Sequence, residues 1–254
     1  MILKRRASLG NVQLDEAHEA IVIRGVEPGK TDRKIGTAMR MNGIGARITN
    51  RNHSMIEAKV TFAINIKNTN LVARREAFDA ATAWAMQKGW LKLSENPGRR
   101  LYVEEVVLPE AGDLWDYTAE YKIGMQAYGV PFWQDSTATE DDDGGLTVPG
   151  LITTVCNASI ENDGNSTIDS LTVTTGDSTM QFANLGLEAG ETLRIGHGNT
   201  GLLWIRIYNT NNIYRSVMNK RTGGADDLYV EPGLISVSAS AGAASFSCYG
   251  RYES

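Results

Sequence analysis

Glu57-Ala58-Lys59-Val60-Thr61-Phe62-Ala63-Ile64-Asn65-Ile66-Lys67 is the stretch that decides the fold class. Val60, Phe62, Ile64 and Ile66 point one way, and Lys59, Thr61, Asn65 and Lys67 the other, which is the period of a half-buried strand. Residues 116–128 repeat the pattern, with Tyr117, Tyr121, Ile123 and Met125 opposite Asp116, Thr118, Glu120 and Lys122. Shorter strands are predicted at residues 20–24 and 101–108. Between the two long strands lies one convincing helix, residues 71–88. Asn70 can cap it, Gly89 can end it, and its interior holds no glycine or proline. Leu71, Phe78, Ala81 and Ala85 fall on one stripe, with Trp84 beside it.

No window in the second half reads as a long helix. Short β-rich runs at residues 170–175, 202–208, 233–240 and 243–252 recur between Gly, Asn and Asp punctuation, the spacing of an antiparallel sandwich. In the last run Phe246, Cys248 and Tyr252 share a face by period two, so Cys248 reads as a small core residue. Residues 134–149 contain Glu140-Asp141-Asp142-Asp143 and then Gly144-Gly145, and read as an acidic linker. The chain is therefore expected to be mainly β with two domains: residues 1–133 with the helix, and residues 150–254.

Composition agrees with this outline. The 254 residues suit one or two domains, and 42% hydrophobic with 22% charged residues exclude disorder and a disulfide scaffold. Twenty-six glycines against six prolines suit many tight turns. No stretch approaches 18 consecutive apolar residues, which excludes a membrane-spanning helix. Met1-Ile2-Leu3-Lys4-Arg5-Arg6-Ala7-Ser8 lacks the apolar segment of a signal peptide, so no export is expected. Cys156 and Cys248 are read as unpaired thiols by default, although folding could make them neighbours. The net charge of −5 hides a split: residues 1–133 carry +4 and residues 134–254 carry −9. That asymmetry favours two domains, and the spread of basic residues makes no nucleic-acid stripe.

The motifs of catalysis are missing. His18, His53 and His197 have no second His or Cys at metal-ligand spacing, and no H-E-x-x-H, C-x-x-C, G-x-S-x-G or phosphate-loop pattern occurs. Gly196-His197-Gly198-Asn199-Thr200-Gly201 lacks the lysine and helix of a phosphate cradle and reads as a hairpin turn. Asp163, Asn165, Thr167 and Asp169 echo a calcium loop without its glycine or closing acid, and read as a turn around Asp163-Gly164. Trp133 and Trp204 are read as core or interface residues rather than sugar platforms. No catalytic residue, metal ligand or cofactor is expected. A hydrolase whose carboxylates meet only in the fold is the weakest reading.

The order of elements resembles the distal tail (Dit-type) hub proteins of siphovirus-like bacteriophages over nearly the whole chain. In the first domain the resemblance rests on Asp32-Arg33-Lys34 and on Gly45-Ala46-Arg47-Ile48 leading into the alternating strand. The helix follows, then Trp90-Leu91-Lys92-Leu93, then the turn Asn96-Pro97-Gly98-Arg99-Arg100-Leu101-Tyr102 and the closing Pro131-Phe132-Trp133. In the second it rests on Asn162-Asp163-Gly164-Asn165, Leu187-Glu188-Ala189-Gly190-Glu191-Thr192-Leu193-Arg194-Ile195, Pro232-Gly233 and Arg251-Tyr252. Ser170, Asn96 and Leu234-Ile235 depart from the family pattern.

The resemblance implies an N-terminal β-sandwich with one helix and a C-terminal galectin-like β-sandwich. Its structural signature residues are Trp90, Pro97, Arg100, Tyr102, Pro131, Phe132, Gly164, Gly190, Pro232, Gly233, Arg251 and Tyr252, and it leaves the ring interface unassigned. It implies a virion protein assembled in the host cytoplasm, a homohexameric ring joining the tail tube protein to the tail-tip protein, with receptor-binding proteins as further partners. First domains would form the ring and second domains point outward. It implies no membrane, no specific nucleic acid and no enzymatic activity. The alternative is a carbohydrate-binding β-sandwich that contacts host surface glycans. No galectin-type sugar motif surrounds Trp204, since Ile205-Arg206-Ile207-Tyr208 lacks the acid-to-arginine pair.

Overall fold

Alternation organises most of this chain, and the strands it produces are antiparallel throughout the named pairings. The computed structural model describes residues 6–39, 46–65, 70–110, 119–142 and 144–253. They divide into two units, residues 1–133 with 253–254, and residues 134–252.

In the first unit, β1 (Ala7–Leu9), β2 (Val12–Gln13), β6 (Gly89–Leu93) and β7 (Asn96–Val103) lie in the order β2-β1-β6-β7. A second sheet takes β3 (Ile21–Glu27), β4 (Thr31–Met39), β5 (Ala46–Ile64), β8 (Glu105–Val107) and β9 (Glu120–Ala127). Its order is β3-β5-β9-β8, with β4 on β5. Ala58, Val60, Phe62 and Ile64 of β5 are buried, as are Tyr121, Ile123 and Met125 of β9. Thr61 and Ala63 are buried too, so β5 is covered on both faces there rather than half-buried. Ile66, Lys67, Asp116, Tyr117 and Thr118 lie outside the described residues, as does Gly45.

The predicted strand at 101–108 is two strands in different sheets. The chain changes sheet at Glu104, whose N–H donates to the Gln126 carbonyl at 2.9 Å. Its carboxylate accepts from the Tyr128 and Gly129 amides at 2.8 and 2.6 Å. A residue that bonds the second sheet through both backbone and side chain makes such a corner, and periodicity cannot show it.

Helix α2 (Leu71–Met86) stops before residue 88 because Lys88 turns left-handed, with φ 54°. Asn70 Oδ1 caps it, accepting from the Val72 and Ala73 amides at 3.1 and 3.4 Å. Phe78 packs edge-on against Tyr121, ring centroids 5.2 Å apart, and Tyr121 stacks at 5.5 Å on Phe62. Trp84 is buried and donates from Nε1 to the Val12 carbonyl at 2.8 Å. Leu71 is only half-buried, while Arg74 and Ala77 join the buried stripe. A second helix, α1 (Leu14–Ala17), was not expected; four residues are too few to show a helical period.

In the second unit one sheet runs β11 (Thr139–Glu140), β22 (Ala243–Cys248), β13 (Thr154–Glu161), β16 (Thr192–His197), β17 (Leu203–Tyr208), β18 (Tyr214–Ser216), with β20 (Tyr229–Val230) also on β13. The other runs β12 (Gly145–Val148), β21 (Gly233–Ala239), β14 (Leu171–Thr175), β15 (Ser178–Phe182), β19 (Arg221–Gly224). Alternate residues of both sheets fill one core, among them Cys156, Ile160, Leu193, Ile205 and Phe246 from the first and Leu146, Leu171, Val173, Met180 and Val237 from the second. This is the antiparallel sandwich. The 198–201 turn joins β16 to β17 as a hairpin, with the Gly198 amide donating to the Leu202 carbonyl.

Two expectations need correction here. Residues 134–149 are not an exposed linker. Strand β10 (Trp133–Asp135) straddles the unit boundary, and Asp135 N–H donates to the Gly250 carbonyl. The acidic run is the corner where the chain crosses from one sheet to the other: β11 pairs with β22, and β12, with Leu146 and Val148 buried, pairs with β21. Asp141 exchanges bonds with Phe246, N–H to carbonyl at 3.0 Å and carboxylate from amide at 2.6 Å. Asp143 lies outside the described residues. Acidic composition hid the corner because its strand partners stand about a hundred residues away. Nor does Tyr252 share the Phe246–Cys248 face, because Tyr249-Gly250 interrupts the run and Tyr252 belongs to β23 (Arg251–Tyr252).

Candidate functional site

The signature residues gather in small structural clusters rather than at one centre. In the β6–β7 hairpin, Trp90 faces its register partner Tyr102 edge-on, centroids 5.1 Å apart. The Arg100 guanidinium sits 4.0 Å over the Trp90 ring. Pro97 is exposed at the start of β7. Pro131 and Phe132 are buried, and the next residue, Trp133, is a core residue whose Nε1 donates to the Pro28 carbonyl at 3.0 Å.

Gly164 and Gly190 meet around a buried asparagine. Asn162 Oδ1 accepts from the Gly164 amide at 3.1 Å, while Nδ2 donates to the Ser166 and Leu187 carbonyls at 2.9 and 2.8 Å. Gly190, at φ +76°, donates its N–H to the Asn162 carbonyl at 2.8 Å. This is the turn expected at Asp163-Gly164, and Asp169 spends an oxygen on the Gly186 amide rather than on a cation. Beside it Glu191 pairs with Arg215, Oε2 to Nη2 at 2.7 Å. The Arg215 hydrogen bonds hold the Glu191 carboxyl below the usual carboxylate range.

Arg251 and Tyr252 form β23, the neighbour of β10. Leu151 N–H donates to the Arg251 carbonyl at 3.0 Å, and Tyr252 Oη reaches Asp135 Oδ2 at 3.2 Å. Burial lowers the Arg251 pKa, against the pull of Asp227. Gly150 must be glycine, because a Cβ there would lie 2.6 Å from the Arg251 nitrogen and its φ is +100°. Pro232 and Gly233 stand apart, exposed where β21 begins.

Cys156 and Cys248 are register partners on β13 and β22, both free and buried. Burial pushes the Cys156 thiol up to about 12 and the Cys248 thiol to about 11. His197 is held between Asn157 Oδ1, 3.0 Å from Nδ1, and Asp227 Oδ1, 2.9 Å from Nε2. His18 Nδ1 accepts the Ala20 amide at 3.1 Å. Among the described residues no group of three or more His, Cys, Asp or Glu could hold a metal, and no helix is long and apolar enough to cross a membrane.

One cluster escaped sequence reading. On the outer face of β16–β17–β18, Trp204 is half-buried, which leaves the interface half of the core-or-interface expectation for it. Arg206 lies over both Trp204, at 5.0 Å, and Tyr214, at 4.3 Å. Its register partner Arg194 lies 4.6 Å over Tyr208, whose ring is 5.6 Å from that of Tyr214. The available signal was alternation, since Arg194 follows Leu193 and Arg206 follows Ile205, each an outward residue beside a buried one.

No protein-family model matches this sequence, and no curated protein does. Solved structures do. The crystal structure of the SPP1 Dit (gp 19.1) protein, described as a paradigm of the hub adsorption apparatus in phages infecting Gram-positive hosts, superposes with a TM-score of 0.66 at 12% identity. The match covers 97% of this chain and 98% of that one. The chain has the Dit fold. Chains of the phage P2 baseplate in its activated conformation match as well. Its calcium form matches at a TM-score of 0.50 and 11% identity over 97% and 98% of the two chains. Its strontium form matches at 0.50 and 11% over 96% and 97%. The solved structures this chain resembles are thus a phage hub protein and a phage baseplate.

Proposed function

We propose that this chain is a structural virion protein, the distal tail hub that closes as a homohexameric ring and joins the tail tube to the tail-tip apparatus. One observation carries the reading: the fold likeness to the SPP1 hub runs end to end through both units, over 97% of this chain. A strand edge in the first unit that is unpaired among the described residues supports it. Strand β8 ends its sheet, with Val107 52% and Leu108 36% exposed. A head-to-tail contact that closes after six copies makes a ring, and unpaired edges are natural places to build one.

Light scattering followed by negative-stain imaging of the same peak tests the proposal. The expected species is a ring near six times 27.7 kDa. Val107→Lys, which puts a charge on the free edge, is expected to leave a folded monomer. A wild-type chain that stays monomeric alone and with its tail-tube partner would overturn the ring.

A further inference from the structure

We propose that the outer face of β16–β17–β18 docks an extended acidic segment of a partner protein, which adds as a strand to the free β18 edge and sets a carboxylate on Arg206, with the Arg194 charge behind it. This goes beyond the hub reading and does not depend on ring closure.

The first observation is electrostatic. Residues 134–254 hold 15 acids and only 6 Lys or Arg. Arg215 pairs with Glu191 and Arg221 with Asp226. Yet among the described residues Arg194 and Arg206 have no ion-pair or hydrogen-bond partner, despite the surplus of acids in this half of the sequence. Aromatic rings hold them instead. A guanidinium held over a ring keeps its N–H donors for a carboxylate, the anion whose geometry matches that fork.

The second is the edge itself. In the β17–β18 ladder the Asn209 amide donates to the Ile213 carbonyl and the Val217 amide to the Ile205 carbonyl. With the register Ile207↔Arg215, the alternation leaves the N–H and C=O of Tyr214 and Ser216 pointing away from the sheet. All of β18 is exposed, flanked by Ile213 at 67% and Met218 at 42% exposure. A strand added there would lie about 4.8 Å from β18. Its outward side chains would stand beside Tyr214, where the Arg206 guanidinium already rests. Main-chain pairing supplies affinity in such additions, and alternate side chains supply selectivity.

A polypeptide fits better than a glycan. Sugars stack on open aromatic faces, but the Trp204 indole lies against Gly196, where a Cβ would come within 2.5 Å of it, and carries Arg206 over its ring. The free backbone groups and the apolar flanks of β18 suit a peptide.

The test uses the full chain and a fluorescein-labelled ten-residue peptide alternating Glu and Val, read by fluorescence anisotropy. Saturable, salt-sensitive binding is expected, weakened at least tenfold by Arg194→Gln with Arg206→Gln. Ser216→Pro is expected to weaken it as much, because it deletes an outward N–H and leaves the β17 ladder intact. Should Ser216→Pro misfold, N-methylation of alternate peptide amides replaces it: one phase is expected to abolish binding and the other to spare it. No binding to the wild-type chain, or binding indifferent to Ser216→Pro and to both N-methylation phases, would overturn strand addition. A heparin hexasaccharide that binds more tightly than the peptide, and loses affinity only with the arginine changes, would reassign the face to anionic glycans.

Discussion

Arg215→Met probes the ion pair that closes one edge of the second unit. Arg215 donates to both Glu191 oxygens and, from Nη2, to the Gly186 carbonyl at 2.6 Å. Glu191 Oε2 also accepts the Glu188 amide at 2.9 Å. The Glu191 side chain is 9% exposed and that of Arg215 46%. Breaking a fully buried pair costs about 3–5 kcal/mol, and an exposed pair contributes about 0–1 kcal/mol. A buried carboxylate with a half-exposed partner falls between, so Arg215→Met is expected to cost about 2 kcal/mol at pH 7. Glu191 has its folded pKa lowered, chiefly by the Arg215 hydrogen bonds. Its contribution is therefore complete above the unfolded carboxylate pKa and fades as pH falls through the lower folded value. Urea unfolding of wild type, Arg215→Met, Glu191→Gln and the double variant, from pH 7 down to pH 2, measures this as a cycle. A penalty under about 0.5 kcal/mol at pH 7, or one unchanged at pH 2, would refute the reasoning; the latter would assign the effect to packing of the arginine stem.

Asn162→Ala is expected to cost about 2–3 kcal/mol in the same assay, because it strands the Ser166 and Leu187 carbonyls and the Gly164 amide, whereas neighbouring Asp163→Ala should stay within about 0.5 kcal/mol. Gly29→Ala should destabilise the first unit by more than about 1 kcal/mol, since Gly29 has φ +75° and a Cβ there would overlap the Glu57 carbonyl; calorimetry showing an unchanged transition would contradict that loop geometry. The two thiols are expected to resist a chromogenic disulfide reagent at pH 8 until the protein is unfolded, when both should react. Their raised folded pKa values mean that stability is complete below the unfolded thiol pKa of 9.0 and falls as pH climbs toward about 11 and 12; a flat urea midpoint from pH 8 to pH 11 would count against this.

Local pattern made much of this protein readable. Alternation at 57–67 and 116–128 marks the central strands, which run 46–64 and 120–127, Asn70 marks the start of the helix, and Phe246 and Cys248 are core residues as expected. Boundaries were harder. Lys88 turns left-handed one residue before Gly89, and Glu104 breaks one predicted strand into two sheets through bonds to residues 126–129 that no window contains. The candidate site was least legible. Trp90, Arg100 and Tyr102 were singled out one by one, and only the hairpin register stacks them. Arg194 and Arg206 each stand between core residues in sequence, and only the β16–β17 register sets them side by side.

The sequence by itself determined the class of this protein: mainly antiparallel β, one substantial helix, a cationic first half and an acidic second. Each of those follows from residues close together in the chain, through periodicity, capping and charge. Only the tertiary structure decided that the acidic run is a corner between two sheets, that Cys156 faces Cys248, and that two arginines share one aromatic face with no carboxylate partner among the described residues. Those facts depend on register between strands that are far apart in sequence, and register is set by packing of the whole core rather than by any segment alone.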